Sequence, residues 1–124
     1  MKLKSLNLLF GAFIFLVSIN SYACFDEPRL TEIMTTITTW ETDKVIETMH
    51  TEPSDISTFK LIMSDGKMKV GENVIFSQQK KLVKNTYSTI ISGSKGSGTL
   101  VFTIKQVNNV ILLNGFNLTF EKNA

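Results

Sequence analysis

The residues best suited to chemistry in this sequence are one thiol and one imidazole, because Cys24 is the only cysteine and His50 the only histidine. A zinc site needs three or four ligands, and no His-Glu-x-x-His spacing is present. Cys24 and His50 could act as nucleophile and base only if they were held together, and no third residue that would orient them is evident. The sequence therefore predicts no metal site, no cofactor and no catalytic residue. His50 is expected in the last turn of a helix, where its charged form would favour the helix dipole.

Three short patterns match fragments of known signatures, and a fourth stretch is rich in glycine. Residues 50–52 match the His-x-Glu half of the zinc deaminase signature, but its Pro-Cys-x-x-Cys half is absent. Residues 77–80 and 92–95 match Ser-x-x-Lys, but the Ser-Asp-Asn and Lys-Thr-Gly elements of penicillin-recognising enzymes are missing. The glycine-rich residues 93–98 lack the spacing of a P-loop or a dinucleotide fingerprint. This stretch is predicted to be a mobile hairpin connection, with an anion cradle as the alternative.

Charged residues offer a second kind of site, a surface that binds a partner. Four lysines could form a basic patch for lipid head groups or an acidic protein, and these are Lys80, Lys81, Lys84 and Lys95. The competing interpretation is a solvated sheet edge, on which lysines deter edge-to-edge aggregation. Three residues could form an acidic helix face, and these are Glu41, Asp43 and Glu47. Both sets are candidate binding residues.

Several aromatic residues could line a cavity for an apolar ligand. They are Trp40, Phe59, Phe76, Phe102, Phe116 and Phe120. A domain of this size has few other large side chains with which to build a core. Core packing is therefore the preferred interpretation of these residues.

The first element needed to position these residues is one amphipathic helix over about residues 28–50. Its apolar residues recur at spacings of three and four, beginning with Leu30, Ile33, Met34 and Ile37. Asp26 can cap the start, and Pro53 ends the pattern. Repeated threonines lower helix propensity, and residues 33–40 could instead alternate in a strand, so a strand is the alternative.

After Pro53 the composition changes to short β-like runs separated by turn residues. This pattern predicts an antiparallel meander of about five to six strands. Tight turns are predicted at Asp65-Gly66, Asn108-Asn109 and Asn114-Gly115, so that the chain ends in two consecutive hairpins. A helix ahead of such a sheet would lay its apolar stripe across it, which predicts an α+β fold. A small all-β barrel or sandwich is the alternative.

Residues 1–23 are predicted to be a signal peptide. Two lysines precede an apolar run over residues 8–19, which would span about 18 Å as a helix against a hydrocarbon core of about 30 Å. Ser21 and Ala23 are small residues suited to cleavage before Cys24. The mature chain, residues 24–124, is expected to be exported to the periplasm.

Cys24 has no second cysteine with which to form an intramolecular disulfide. Bacterial lipoproteins acylate a cysteine in the first mature position, so a lipid anchor at Cys24 is one interpretation. Ser21 and Tyr22 suit ordinary signal peptidase better, which leaves a soluble periplasmic protein as the other. The membrane is expected as a partner only through the signal peptide or this lipid.

The charges of the mature chain are balanced but segregated. Eleven basic residues remain against eleven acidic ones once Lys2 and Lys4 are removed. Residues 24–57 hold eight acidic and two basic residues, whereas residues 58–124 hold three and nine. A neutral total argues against nucleic acid as a partner. About 100 residues without a Pro- or Gly-rich linker predict a single domain, residues 24–124.

Small size, predicted export, segregated charge and missing catalytic groups lead to an expectation about function. The chain is expected to be a non-enzymatic binding module of the bacterial envelope. Its partner is expected to be another envelope protein or a delivered protein. The chain itself would then be an inhibitor, an immunity protein or an accessory subunit. A carrier of a small apolar ligand between helix and sheet is the first alternative. A small hydrolase that uses His50 or a carboxylate pair is the second.

Overall fold

The computed structural model describes residues 27–120, which form three helices followed by a four-stranded antiparallel sheet. The elements are α1 (Pro28–Ile37), α2 (Thr42–Glu47), α3 (Ile56–Lys69), β1 (Ile75–Lys81), β2 (Thr86–Ser92), β3 (Ser97–Val107) and β4 (Val110–Phe120). The predicted α+β class is confirmed, and the all-β alternative is wrong. The predicted signal peptide and Cys24 lie outside the described residues. Within residues 27–120, no helix is long and apolar enough to cross a membrane.

The single helix predicted over residues 28–50 is wrong, because the chain leaves the helical path after Ile37 and restarts at Thr42. Threonine hydroxyls bond back to helix carbonyls at this break, with Thr38 Oγ1 3.0 Å from Met34 O and Thr39 Oγ1 2.6 Å from Thr36 O. Such bonds compete with the regular backbone ladder. The next residue, Trp40, has φ +61°, which turns the chain into α2.

Helix α1 nevertheless buries the stripe that the spacing predicted. Its buried residues are Leu30, Ile33, Met34 and Ile37. Glu27 is the N-cap of the helix, and its carboxylate accepts a hydrogen bond from the backbone N–H of Arg29 at 3.1 Å. Asp26, the predicted cap, lies outside the described residues.

The alternation of Phe59, Leu61 and Met63 predicted a strand that ends in a turn at Asp65-Gly66, and this prediction is wrong. Residues 56–69 form α3, which begins after the N-cap Asp55 and buries Phe59, Met63 and Gly66. The spacing of four and then three places these side chains on one helix face. Leu61, which would share a strand face with Phe59, is 69% exposed.

The sheet has the strand order β1-β2-β3-β4, with four strands rather than the predicted five to six. Strands β2 and β3 cover two of the short β-like runs predicted after Pro53. The predicted turn at Asn108-Asn109 is confirmed, and both residues have left-handed backbone conformations, with φ 52° and 67°. Two positive φ values match the twist of a two-residue hairpin.

The turn predicted at Asn114-Gly115 is wrong, because β4 continues through it to Phe120. Thr103 pairs with Gly115, whereas the next residue of β3, Ile104, pairs with Leu113. Asn114 is therefore the extra residue of a β-bulge. The bulge keeps the inward-facing residues of β4 on the core side in both halves of the strand.

The core lies between the helices and one face of the sheet. Fully buried residues from the sheet are Ile91, Leu100, Phe102 and Leu113. The segment between α2 and α3 adds a short parallel bridge, in which Leu113 bonds to Thr48 O and to His50 N at 2.8 Å each. The helical layer is thereby fixed to the outer edge of β4.

Candidate binding surface

His50 was predicted in the last turn of a helix, and this prediction is wrong. The residue lies in the segment after α2, which ends at Glu47. The residue is exposed, and its backbone N–H donates to Leu113 O. Glu52 is exposed as well. Among the described residues, no group of three or more His, Cys, Asp and Glu side chains could hold a metal ion. The contact that the structure gives His50 is a backbone bond that holds the chain beside β4.

The two Ser-x-x-Lys patterns lie on the sheet. Ser77 and Lys80 lie on β1, on either side of an irregularity in the pairing with β2. Ser92 ends β2, and Lys95 lies in the loop that follows it. Both lysines are exposed, and in neither pattern do the serine and the lysine lie within one regular stretch of strand.

The glycine-rich loop between β2 and β3 is a hairpin connection, as predicted, and it is hydrogen-bonded to the end of α3. The N–H of Lys95 donates to Val70 O at 2.8 Å, and the N–H of Ser94 donates to Glu72 O at 2.9 Å. In return, Ser94 Oγ accepts from the N–H of Glu72 at 3.0 Å. An anion cradle needs free N–H groups, and these two are already bonded. The loop therefore serves as a cap for the last turn of α3.

The predicted lysine patch is divided by the topology. Lys80, Lys81 and Lys84 lie at the end of β1 and in the β1–β2 turn, whereas Lys95 lies in the loop at the other end of β2. The seven residues of β2 separate these ends by about 20 Å. The Nζ atom of Lys81 lies 6.0 Å from the ring centroid of Tyr87, within reach of a cation–π interaction. Three of the four lysines thus share one end of the sheet.

The predicted acidic residues all belong to α2 or its N-cap. Glu41, Asp43 and Glu47 are exposed. Glu41 Oε2 is 3.5 Å from Lys44 Nζ, in an exposed ion pair of little energetic value. Asp43 and Glu47 are four residues apart, which places them on the same face of the helix. This acidic face is therefore small.

The aromatic residues considered for a ligand cavity pack against protein instead. Phe102 is fully buried, and Trp40 is 7% exposed with its indole N–H 2.8 Å from Gly71 O. The rings of Phe59 and Phe116 meet edge to face, with centroids 5.7 Å apart. These contacts join α3 and the α1–α2 link to the sheet core.

A groove of about 310 Å³ lies at the start of α3. Its lining residues are Pro53, Ser54, Asp55, Thr58, Phe59 and Ile62. Asp55 is its one ionisable residue, and it caps α3. The Thr58 hydroxyl and backbone N–H, which donate to Asp55 at 2.8 and 3.1 Å, hold the pKa of that carboxyl below its usual value. The carboxylate is already engaged by the helix.

Sequence reasoning did not single out the face of the sheet that points away from the helices. We call its central part the open sheet face, and define it by Ser88, Ile90, Thr99, Val101, Thr103 and Leu112. These residues alternate with the buried ones along β2, β3 and β4, and all six are half-buried. No described helix covers them. The signal for this face was present in the sequence as hydroxyl and aliphatic residues, none of them charged, at the positions that alternate with the buried ones.

No protein-family model, curated protein or solved structure matches the chain. Inference about its function therefore depends on these surfaces.

Proposed function

We propose that this chain is a non-enzymatic, exported binding module of the bacterial envelope, and that it binds another protein through the open sheet face. An inhibitor, an immunity protein and an accessory subunit all fit this description. The observation that carries the proposal is the absence of charge from the open sheet face, whose residues have hydroxyl or aliphatic side chains.

An antiparallel sheet with one solvated face normally alternates apolar inward residues with polar outward ones. Here Thr99, Val101 and Thr103 form the outward row of the central part of β3. Ser88 of β2 and Asn117 of β4 flank Val101 in register. An uncharged centre matches the core of a protein interface, because charged residues are depleted there.

The charges of the outward face lie towards one end. Lys80 pairs with Ser88 at the edge of the sheet, and Lys105 pairs with Leu112 near the β3–β4 turn. Residues 73–120 contain five lysines and no Asp or Glu. Complementary charge sets the rate and orientation of association more than its affinity. The partner is therefore expected to have an uncharged contact area with an acidic rim.

The test is capture of a partner from an envelope extract of the host, followed by reconstitution with the purified partner. Val101→Glu places a carboxylate at the centre of the open sheet face, where an interface would bury it without a partner. We expect this variant to weaken binding by at least about tenfold, equivalent to about 1.4 kcal/mol.

Leu61→Glu is the matched control, because it also changes an apolar residue to glutamate. The Leu61 side chain lies on α3 and is 69% exposed. This variant should bind like the unmodified protein, and circular dichroism should show that both variants remain folded. A partner bound equally by both variants would move the interface away from the open sheet face. Extracts that repeatedly returned no partner would contradict the proposal.

A further inference from the structure

The β1–β2 turn presents two adjacent aliphatic side chains to solvent. Leu82 is 51% and Val83 is 68% exposed. Two-residue and short hairpin turns are usually built from Gly, Asn, Asp, Ser or Pro. Neighbouring exposed aliphatic residues at a protruding turn are therefore unusual, whereas single exposed ones are common.

The turn is held in a defined conformation by the sheet. The N–H of Leu82 donates to Thr86 O and the N–H of Thr86 donates to Val83 O, both at 2.9 Å. Asn85 has φ +63°, and its carbonyl accepts from the N–H of Ile104 at 2.9 Å. The two aliphatic side chains are thus presented on a rigid support rather than on a loose loop.

Cationic side chains surround this turn. Lys80 and Lys81 precede Leu82, and Lys84 follows Val83, so that three lysines flank two aliphatic residues in five positions. The β3–β4 hairpin projects at the same end of the sheet, with Lys105 and the 51% exposed Val110. We call residues 80–84 the basic tip. This arrangement is suited to an anionic bilayer surface, where lysines can contact the charged head groups and exposed aliphatic side chains can contact the acyl chains below them.

We propose that the basic tip inserts Leu82 and Val83 among the lipids of an anionic membrane surface, while the three lysines contact the head groups. The exposure of both aliphatic side chains favours a bilayer over an acidic protein as the occupant, because a protein would need a matching pocket, whereas lipids rearrange around the side chains.

The start of the described chain lies towards the same end of the sheet. Arg29 Nε donates to Ile111 O at 3.0 Å, next to the β3–β4 turn. The proposal does not depend on a lipid at Cys24, which lies outside the described residues.

The test is sedimentation with vesicles of phosphatidylcholine, with and without phosphatidylglycerol. It uses the chain from residue 24 onward with Cys24→Ser, which retains every described residue and excludes an acyl chain. The unmodified tip should bind only the anionic vesicles. Each lysine near such a surface contributes about fivefold to binding, so K80Q/K81Q/K84Q should reduce the partition coefficient about 100-fold. L82S/V83S should reduce it at least about tenfold.

Two matched controls separate the basic tip from net charge and general hydrophobicity. K60Q/K67Q/K95Q removes the same charge from exposed lysines elsewhere, and L61S/M68S removes apolar side chains of similar exposure from α3. Both should bind vesicles within about twofold of the unmodified protein. Controls that lose as much binding as the tip variants would overturn the proposal. So would equal binding to both kinds of vesicle, or no sedimentation with anionic vesicles.

Discussion

Gly66→Ala should destabilise the protein, although alanine is the better helix former by about 1 kcal/mol. A Cβ atom at position 66 would lie 2.7 Å from Cε3 and 2.9 Å from Cη2 of Trp40. Carbon atoms in contact normally lie about 3.5–4.0 Å apart. Overpacking of this kind costs about 1–3 kcal/mol, and the upper value applies where the neighbouring group has no room to move.

Trp40 has little such room. Its side chain is 7% exposed, its indole N–H is bonded to Gly71 O, and its backbone has φ +61°. Moving the ring away would break a hydrogen bond worth about 1 kcal/mol. A clash of about 3 kcal/mol less the propensity gain of about 1 kcal/mol gives a net loss of about 2 kcal/mol. For a domain of this size, the loss corresponds to a decrease in Tm of about 10 °C.

Urea unfolding followed by circular dichroism measures this loss, and a second background isolates its cause. In Trp40→Leu the ring is absent, so Gly66→Ala should now stabilise α3 by about 1 kcal/mol. The double-mutant cycle should therefore give a coupling energy of about 3 kcal/mol. A stabilising Gly66→Ala in the unmodified protein would refute the reasoning, as would the same loss in both backgrounds.

Substitutions at three further positions test local structure by thermal unfolding. Asp55→Ala should lower stability near neutral pH, because hydrogen bonds from Thr58 lower the pKa of Asp55 in the folded state. The difference in stability between the two proteins should shrink as pH falls below about 3.8. A difference that does not depend on pH would contradict this. Gly96→Ala should cost about 1–3 kcal/mol, since its Cβ would lie 2.5 Å from Lys69 O, and an unchanged Tm would show that the loop adjusts freely. Asn109→Val should cost about 1–2 kcal/mol because φ is +67°, whereas Asn109→Gly should not destabilise.

Strands β2 and β3 were predictable because their burial alternates with a period of two. Leu100 and Phe102 face the core and Val101 faces outward, so one short window contains the whole signal. Helix α1 was predictable for the same reason, with a period near 3.6. The end of this helix was not predictable, because it depends on hydroxyl hydrogen bonds of Thr38 and Thr39 and on the backbone conformation of Trp40.

Helix α3 shows how two periods can coexist in one segment. Phe59, Leu61 and Met63 fit a strand, whereas Phe59, Met63 and Gly66 fit a helix face. The helix accommodates the ring of Trp40 at Gly66, a contact between residues 26 positions apart that no local pattern contains. Asn114-Gly115 was misleading for a similar reason, because β3 is long enough to pair with a continuous β4 through a bulge.

The candidate surfaces were predictable only in part. Lys80, Lys81 and Lys84 are neighbours in sequence and remain neighbours in the fold, but Lys95 is separated from them by the length of β2. The open sheet face needed the strand register, because Ile90, Val101 and Leu112 come from three different strands. Charge and exposure can be read locally, whereas a surface assembled across strands requires the topology.

A membrane-bound tip would also orient the open sheet face. Strands β2 and β4 run from the end that carries the basic tip towards the β2–β3 loop, and β3 runs in the opposite direction, so tip insertion would stand the sheet upright on the membrane. Lys80 belongs to the basic tip and borders the open sheet face, since it pairs with Ser88. A partner bound beside it would then lie close to the lipid head groups. If both proposals hold, anionic vesicles should strengthen binding of a membrane-attached partner to the unmodified protein, and L82S/V83S should abolish that gain while leaving partner binding in solution unchanged.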